Sequence, residues 1–193
     1  MLNNSAKDQA IKIFQLANKL FDHASPVIKI NGIGKKLWLR DVKEDDHRRG
    51  PWHQGNFEVI NLDAWKAKGA CVYLVMGSDH EIRYVGISKK GLFERWRMCP
   101  SLDNISLLKL DDKKLFHSQC WKNLEIEVKK NTSLTFEVRV ISAQKIADLH
   151  QQLPEITEEF IVEYGNDAYD AVCWIEKLFR NYRGSNFMAW NKI

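Results

Sequence analysis

The chain has 193 residues, of which 45% are hydrophobic and 28% are charged. This balance is typical of a folded globular protein and excludes a disordered chain, and the length allows one well-packed core with an added lobe. The net charge of +4 permits binding to a polyanion without requiring it. The 4 cysteines form no C-x-x-C pair and have no histidines at zinc-ligand spacing, so we expect reduced, mostly buried thiols.

The beginning of the chain, MLNNSAKDQAIKIF, does not combine a basic stretch with a long apolar run. It therefore does not resemble a signal peptide. No apolar stretch approaches the length that a membrane-spanning helix needs. We expect a cytoplasmic protein without a membrane partner.

The N-terminal third is predicted to be an extension of the main domain. Apolar residues recur at three-to-four spacing over residues 6–23, which predicts an amphipathic helix. Residues 25–42 alternate in short apolar runs around Gly32 and Gly34, which indicates a small hairpin or a loop followed by a strand. Residues 43–56 are polar and contain turn-forming glycine and proline, which predicts a surface loop. We place the extension at residues 1–66 and the main domain at residues 67–193.

The main domain has a clearer pattern. The β-branched and aromatic runs ACVYLVM and IRYVGI flank the turn-forming GSDHE, which predicts a β-hairpin, and LTFEVRVI predicts a third strand. Helices are expected over KKGLFERWRM, around residues 113–121, over residues 143–164 and over residues 168–182. The sequence therefore predicts an α/β (α+β) protein with a small central antiparallel sheet of three strands flanked by helices.

Polar side chains concentrate on the predicted hairpin and on the helix after it. Tyr73 and Tyr84 lie on the paired strands, and Lys89, Lys90 and Arg95 follow. Arginine offers a planar fork of donors to phosphate oxygens, lysine adds a point charge, and a phenol can orient a water molecule or take its proton. Such a group of side chains suits a phosphate.

Glu176 interrupts an apolar helical face in the run CWIEKLF. A buried carboxylate without a partner is costly, so a metal ion or an arginine would be needed to compensate for it. Each of these residues also has an ordinary interpretation. Strand tyrosines usually pack in the core, and a helical arginine or glutamate is usually solvated or ion-paired at the surface. The combination, and not any single residue, indicates a functional site.

This combination resembles the GIY-YIG nuclease family over residues 69–193, about two thirds of the chain. The family has a strand ending its motif in Tyr, a strand with Tyr-Ile/Val-Gly, an Arg on the next helix, and later a helical Glu followed by an Asn. Here CVY with Tyr73, YVG with Tyr84, LFER with Arg95, WIEKLF with Glu176 and AWN with Asn191 fill these places in order. Asn186 also follows Glu176, and Asn191 is preferred for its spacing.

The resemblance implies a metal-dependent DNA endonuclease. Tyr73 would activate or orient the attacking water, Tyr84 would position the phosphate or Tyr73, and Arg95 would stabilise the charged transition state. Glu176 would hold one Mg²⁺ or Mn²⁺, and Asn191 would brace the site. A scheme with one metal ion is preferred because no pair of carboxylates is present. Contacts to DNA phosphates are expected from Lys89, Lys90 and Arg97.

The size of the chain favours a restriction-type endonuclease, and a homodimer would be needed to cut both strands at a symmetric site. The residues 1–66, in which basic and aromatic side chains mix with an acidic cluster, are either a DNA-contacting lobe or a packing extension. A competing interpretation is a non-catalytic nucleic-acid-binding protein on the same scaffold. It is motivated by Cys71, which stands where the first family motif has Gly, and by Cys99, which replaces a common His or Tyr. A third interpretation is an unrelated soluble α/β domain in which the motif is coincidental.

Overall fold

A computed structural model describes residues 4–37, 52–96, 119–149, 168–181 and 190. The described residues form both helices and strands, which confirms the mixed α/β class. Their order is α1 (Asn4–His23), β1 (Ser25–Leu37), β2 (Trp52–Val59), α2 (Leu62–Lys66), β3 (Cys71–Gly77), β4 (Ile82–Ser88), α3 (Leu92–Trp96), α4 (Gln119–Lys130), β5 (Phe136–Ser142), α5 (Ala143–Leu149) and α6 (Ala168–Asn181).

The strands form one antiparallel sheet of five strands in the order β2-β1-β5-β3-β4. The prediction of a three-stranded sheet was wrong, because β1 and β2 from the N-terminal third extend the three predicted strands β3, β4 and β5. Of the stretch 25–42, the described residues 25–37 form the single strand β1 and not a hairpin, and residues 38–42 lie outside the described ranges. Instead β1 pairs with β2 on one side and with β5 on the other. Its Val27, Ile28 and Ile30 are fully buried, which explains why it lies inside the sheet.

The prediction of a loop at residues 43–56 was wrong over residues 52–56, which belong to the strand β2, and residues 43–51 lie outside the described ranges. Two predicted helices differ from the structure in extent. The helix expected around residues 113–121 overlaps α4 only at residues 119–121, because α4 runs from Gln119 to Lys130 and residues 113–118 lie outside the described ranges. The helix expected over residues 143–164 is described as far as Leu149. None of the helices in the described ranges combines the length and the apolar character that a membrane crossing requires.

The sheet separates two apolar cores because successive residues of a strand point to opposite faces. Along β3, Val72 and Leu74 belong to one core, whereas Tyr73 and Val75 belong to the other. Helices α1, α5 and α6 supply apolar side chains to the first core, which we call the opposite face. Helices α2, α3 and α4 supply them to the second, which we call the tyrosine face. Since α1 and β1 pack with residues of the main domain, the predicted extension shares its sheet and its cores.

Candidate functional site

The hairpin of β3 and β4 places both tyrosines on the tyrosine face. Tyr73 lies opposite Gly86 in the strand register, and Tyr84 lies opposite Val75. Directly opposed residues of an antiparallel pair share a face, and so do residues two positions apart on one strand. Tyr73 and Tyr84 are therefore diagonal neighbours on the same face. Their ring centroids are 5.8 Å apart, with the planes tilted by 30°.

The close approach of both tyrosine rings to position 86 explains why the YVG run ends in glycine. A Cβ atom at this position would lie 2.5 Å from the hydroxyl oxygen and from Cζ of Tyr73, and 2.6 Å from Cε1 of Tyr84. These separations are far below van der Waals contact, so only a residue without a side chain lets the Tyr73 ring cross the strand here. The glycine of the motif is therefore needed for space.

Arg95 reaches the same place from α3. This short helix is anchored by its buried first and last residues, Leu92 and Trp96. The Trp96 ring meets the Tyr73 ring edge to face, with the centroids 5.7 Å apart. Arg95 itself is exposed, and its Nε donates a long hydrogen bond of 3.4 Å to the Tyr73 hydroxyl. The structure thus brings Tyr73, Tyr84 and Arg95 together.

The three side chains differ in their access to solvent. Tyr73 is only 1% exposed, whereas Tyr84 is half-buried and Arg95 is exposed. An anion that approaches this face would therefore meet the guanidinium and the outer phenol first. Tyr73 supports them from below through its ring contacts and its bond to Arg95.

Glu176 stands on α6, whose buried Val172, Ile175 and Phe179 pack in the core of the opposite face. An α-helix advances by about 100° per residue, so Glu176 lies about 40° from Val172, at the border of this apolar stripe. It is half-buried. Among the described residues no hydrogen bond or ion pair joins Glu176 to Tyr73, Tyr84 or Arg95. Since α6 packs on the opposite face of the sheet from Tyr73 and Tyr84, the described contacts do not bring the Glu176 carboxylate together with the phenol cluster.

The residues present fit a metal ion held by one carboxylate. In the part of the chain that the structure describes, no group of three or more His, Cys, Asp or Glu side chains could hold a metal together. A protein cage for Ca²⁺ or Zn²⁺ is therefore absent from these residues. Mg²⁺ commonly keeps several waters and binds one or two carboxylates plus the phosphates of its substrate. The half-buried carboxylate of Glu176 suits that mode.

The structure describes two of the three residues that were predicted to contact DNA phosphates. Lys89 and Lys90 are exposed on the turn between β4 and α3. The turn is braced by Ser88, whose hydroxyl donates to the Gly91 carbonyl at 2.7 Å and accepts from the Lys90 N–H at 3.3 Å. Arg97, Asn186 and Asn191 lie outside the described residues.

A second polar network on the tyrosine face was not predicted. Arg83, whose side chain is 10% exposed, donates to Glu127 at 2.9 Å and to Asp79 at 2.5 Å. Trp190 donates its indole N–H to the other Glu127 oxygen at 2.6 Å and its backbone N–H to the Arg83 carbonyl at 3.1 Å. The signal in the sequence was a charged residue inside the apolar run IRYVGI, because a charge in a buried strand requires partners. The network fixes the residue just before Asn191.

Cys71 does not contribute a nucleophile to the site. Burial raises the pKa of its thiol to about 11, although a hydrogen bond from the Ser88 backbone lowers it. The thiol is therefore protonated at neutral pH, and a protonated thiol is a poor nucleophile. Cys71 and Cys173 are both free thiols, of which Cys71 is buried.

No family model matches the chain, and neither a curated protein nor a solved structure does so. The likeness to GIY-YIG nucleases therefore rests on the motif residues alone. Three of these residues, Tyr73, Tyr84 and Arg95, form the cluster described above. Membership of the family stays a proposal.

Proposed function

We propose that the chain is a metal-dependent DNA endonuclease that hydrolyses phosphodiester bonds, built on a GIY-YIG-like scaffold. One observation carries the proposal: the exposed Arg95 donates to the hydroxyl of Tyr73, beside Tyr84 and over Gly86. These residues come from two strands and a helix, and they are the ones that the motif combines. An exposed guanidinium held in place by buried aromatic rings is a preorganised donor for a phosphate.

The proposed mechanism assigns a task to each side chain. Arg95 stabilises the negative charge that builds on the phosphoryl oxygens, which is the largest single contribution expected in such a site. Tyr84, the outer phenol, positions the phosphate. Tyr73 was expected to orient the attacking water, but because it is 1% exposed its task here is to hold the guanidinium of Arg95, to which it is hydrogen-bonded. Asn191, next to the anchored Trp190, would brace the site.

Glu176 would hold the metal ion, Mg²⁺ or Mn²⁺. When bound, the ion would supply Lewis-acid stabilisation to the scissile phosphate and the departing oxygen. The contribution of the protein is the single half-buried carboxylate at the border of the α6 stripe. Since each chain has one such centre, a homodimer would cut both strands of a symmetric site, as a restriction-type enzyme requires.

The test is nicking of supercoiled plasmid by the full chain, with Mg²⁺ and with a chelator. We expect Glu176→Gln to abolish cleavage while DNA binding in a gel-shift assay stays near the wild-type level. Asp22→Asn, which removes one exposed carboxylate from α1, is the matched control and should cleave normally. Normal cleavage by Glu176→Gln would show that this residue does not serve the reaction.

A second candidate is a non-catalytic nucleic-acid-binding protein on the same scaffold. The burial of Tyr73, which is 1% exposed, favours it, because an inaccessible phenol can support Arg95 without touching a water molecule. The same plasmid assay separates the two candidates. A binding protein shifts DNA in the gel and leaves the plasmid supercoiled at every Mg²⁺ and Mn²⁺ concentration.

A further inference from the structure

Two chain segments that are far apart in sequence touch beside Arg95. Gly91, with φ of +100°, lies so close to the segment after α2 that a Cβ atom on it would be 2.1 Å from the Ala67 carbonyl oxygen and 3.4 Å from the Lys68 Cα. Both the positive φ and this contact exclude a side chain at position 91. The segment 66–68 is therefore held against the turn 89–91, which Ser88 braces from within.

This contact gathers lysines that the sequence keeps apart. Two of them, Lys66 and Lys68, come from the end of α2, and two, Lys89 and Lys90, come from the turn before α3. All of them are exposed. Consecutive Cα atoms are 3.8 Å apart, so the four Cα atoms lie within about 20 Å of one another. The acidic residues on the same segments are Asp63 and Glu94, against four lysines and Arg95.

We infer that Lys66, Lys68, Lys89 and Lys90 form one phosphate-binding surface, the lysine patch, which continues the path of a nucleic-acid backbone away from Arg95. The inference rests on the proposed function in taking DNA as the ligand. One strand of B-DNA presents a phosphate every 3.4 Å or so of axis, so a patch of at most about 20 Å spans up to about six of them. Each lysine can thus contact its own phosphate. Lys66 and Lys68 become part of the substrate path only through the contact of Gly91 with Ala67.

The charge pattern favours a backbone contact that carries no sequence information. Lysine is a flexible point charge, which suits phosphates along a strand better than the fixed geometry of a base edge. Phe93, which is 36% exposed and meets the Trp65 ring edge to face at 5.4 Å, adds an apolar side chain at the rim of the patch. A surface of this kind binds duplexes of different sequence with similar affinity.

The test is the salt dependence of binding to a fluorescent duplex of about 30 base pairs, measured by anisotropy between about 0.05 and 0.3 M salt. The slope of log K against log salt is negative. The double variant Lys66→Gln/Lys68→Gln should make it shallower by about 1.8, since each lost phosphate contact removes about 0.9 from its magnitude. Lys89→Gln/Lys90→Gln should make it shallower by a similar amount. The control Lys12→Gln/Lys130→Gln removes the same charge from α1 and α4 and should leave the slope unchanged. Circular dichroism verifies that each variant is folded.

The outcomes separate the patch from the nuclease. A slope that becomes shallower only in the patch variants supports the patch, whether or not the protein cuts DNA with Mg²⁺. If wild type cuts DNA but Lys66→Gln/Lys68→Gln keeps its slope, the patch is wrong and the nuclease stands. An equal change in the control variant also overturns the patch, because net charge alone would explain it. Binding of wild type to phosphatidylserine vesicles and not to the duplex overturns it in favour of a lipid surface.

Discussion

Arg83 and Arg95 both lie on the tyrosine face, and they differ in their exposure to solvent. The guanidinium of Arg83 is almost buried and bonds to Glu127, to Asp79 and to the Glu81 carbonyl. Arg95 is exposed and donates to a neutral phenol. A buried arginine beside two carboxylates is compensated within the chain and serves the fold. An exposed arginine can meet an anion from outside, so the exposure of each guanidinium distinguishes a structural role from a binding role.

Replacing each arginine by methionine is the strongest test of this contrast. Arg83→Met should lower the free energy of unfolding by about 3 kcal/mol or more, because it leaves a partly buried Glu127 without its cation. Arg95→Met should change that energy by less than about 0.5 kcal/mol and should slow plasmid cleavage by about 10² to 10³-fold. Urea unfolding and initial nicking rates measure the two effects. Equal loss of stability in both variants would contradict the assignment of a structural role to Arg83 and a functional role to Arg95.

Gly86→Ala tests how tightly the phenol cluster is packed. The new methyl group would overlap the Tyr73 hydroxyl, so we expect a loss of about 1 to 3 kcal/mol of stability and slower cleavage. Gly77→Ala is the comparison: its Cβ would lie 2.5 Å from the Asp79 carboxylate that Arg83 holds, so it should disturb that ion pair and leave the phenol cluster and the cleavage rate unchanged. Adding Tyr73→Phe to Gly86→Ala removes one of the overlapping atoms and should recover part of the stability. A complete absence of recovery would mean that the strain lies elsewhere.

The smallest effect concerns pH and the Arg83 network. Burial alone would raise the pKa of Asp79, but hydrogen bonds from Arg83 and the Glu81 backbone and the charge of Arg83 together lower it below its usual value. The folded state then binds protons less readily than the unfolded state. Asp79 therefore adds to the free energy of unfolding at pH values above its pKa in the unfolded state. This stabilisation is lost as the pH falls through its pKa in the folded state. Because the Asp79 side chain is 43% exposed, the contribution should be about 1 kcal/mol or less.

The measurement is urea unfolding of wild type and Asp79→Asn from pH 7 downwards. We expect the difference in unfolding free energy between them to be constant at neutral pH and to shrink below about pH 4, where an unfolded aspartate becomes protonated. A difference that grows on acidification would mean that the Asp79 pKa is raised by folding and not lowered. Replacing Arg95 should leave this pH-dependent difference between wild type and Asp79→Asn unchanged.

The sequence predicted the parts of the molecule that depend on short distances along the chain. The hairpin of β3 and β4, the strand β5 and the helices α1 and α6 follow from local periodicity, and Tyr73, Tyr84 and Arg95 are near one another because a hairpin and one turn connect them. The pairing of β1 with β2 and β5 was missed, since register between distant strands has no local signal. The position of Glu176 depends on which face α6 covers, and the Glu127 contact with Trp190 joins residues 63 positions apart.

Trp190 also satisfies a backbone group of the strand β4. Among the described strands β4 lies at an edge of the sheet, and the Trp190 amide donates to the Arg83 carbonyl of that strand. Edge strands with free backbone groups tend to pair with other molecules and aggregate. A chain shortened before residue 190 would therefore leave the Arg83 carbonyl without the Trp190 amide and would lose a hydrogen-bond donor to Glu127. Fusions and affinity tags are better tolerated when they follow this tryptophan than when they replace it.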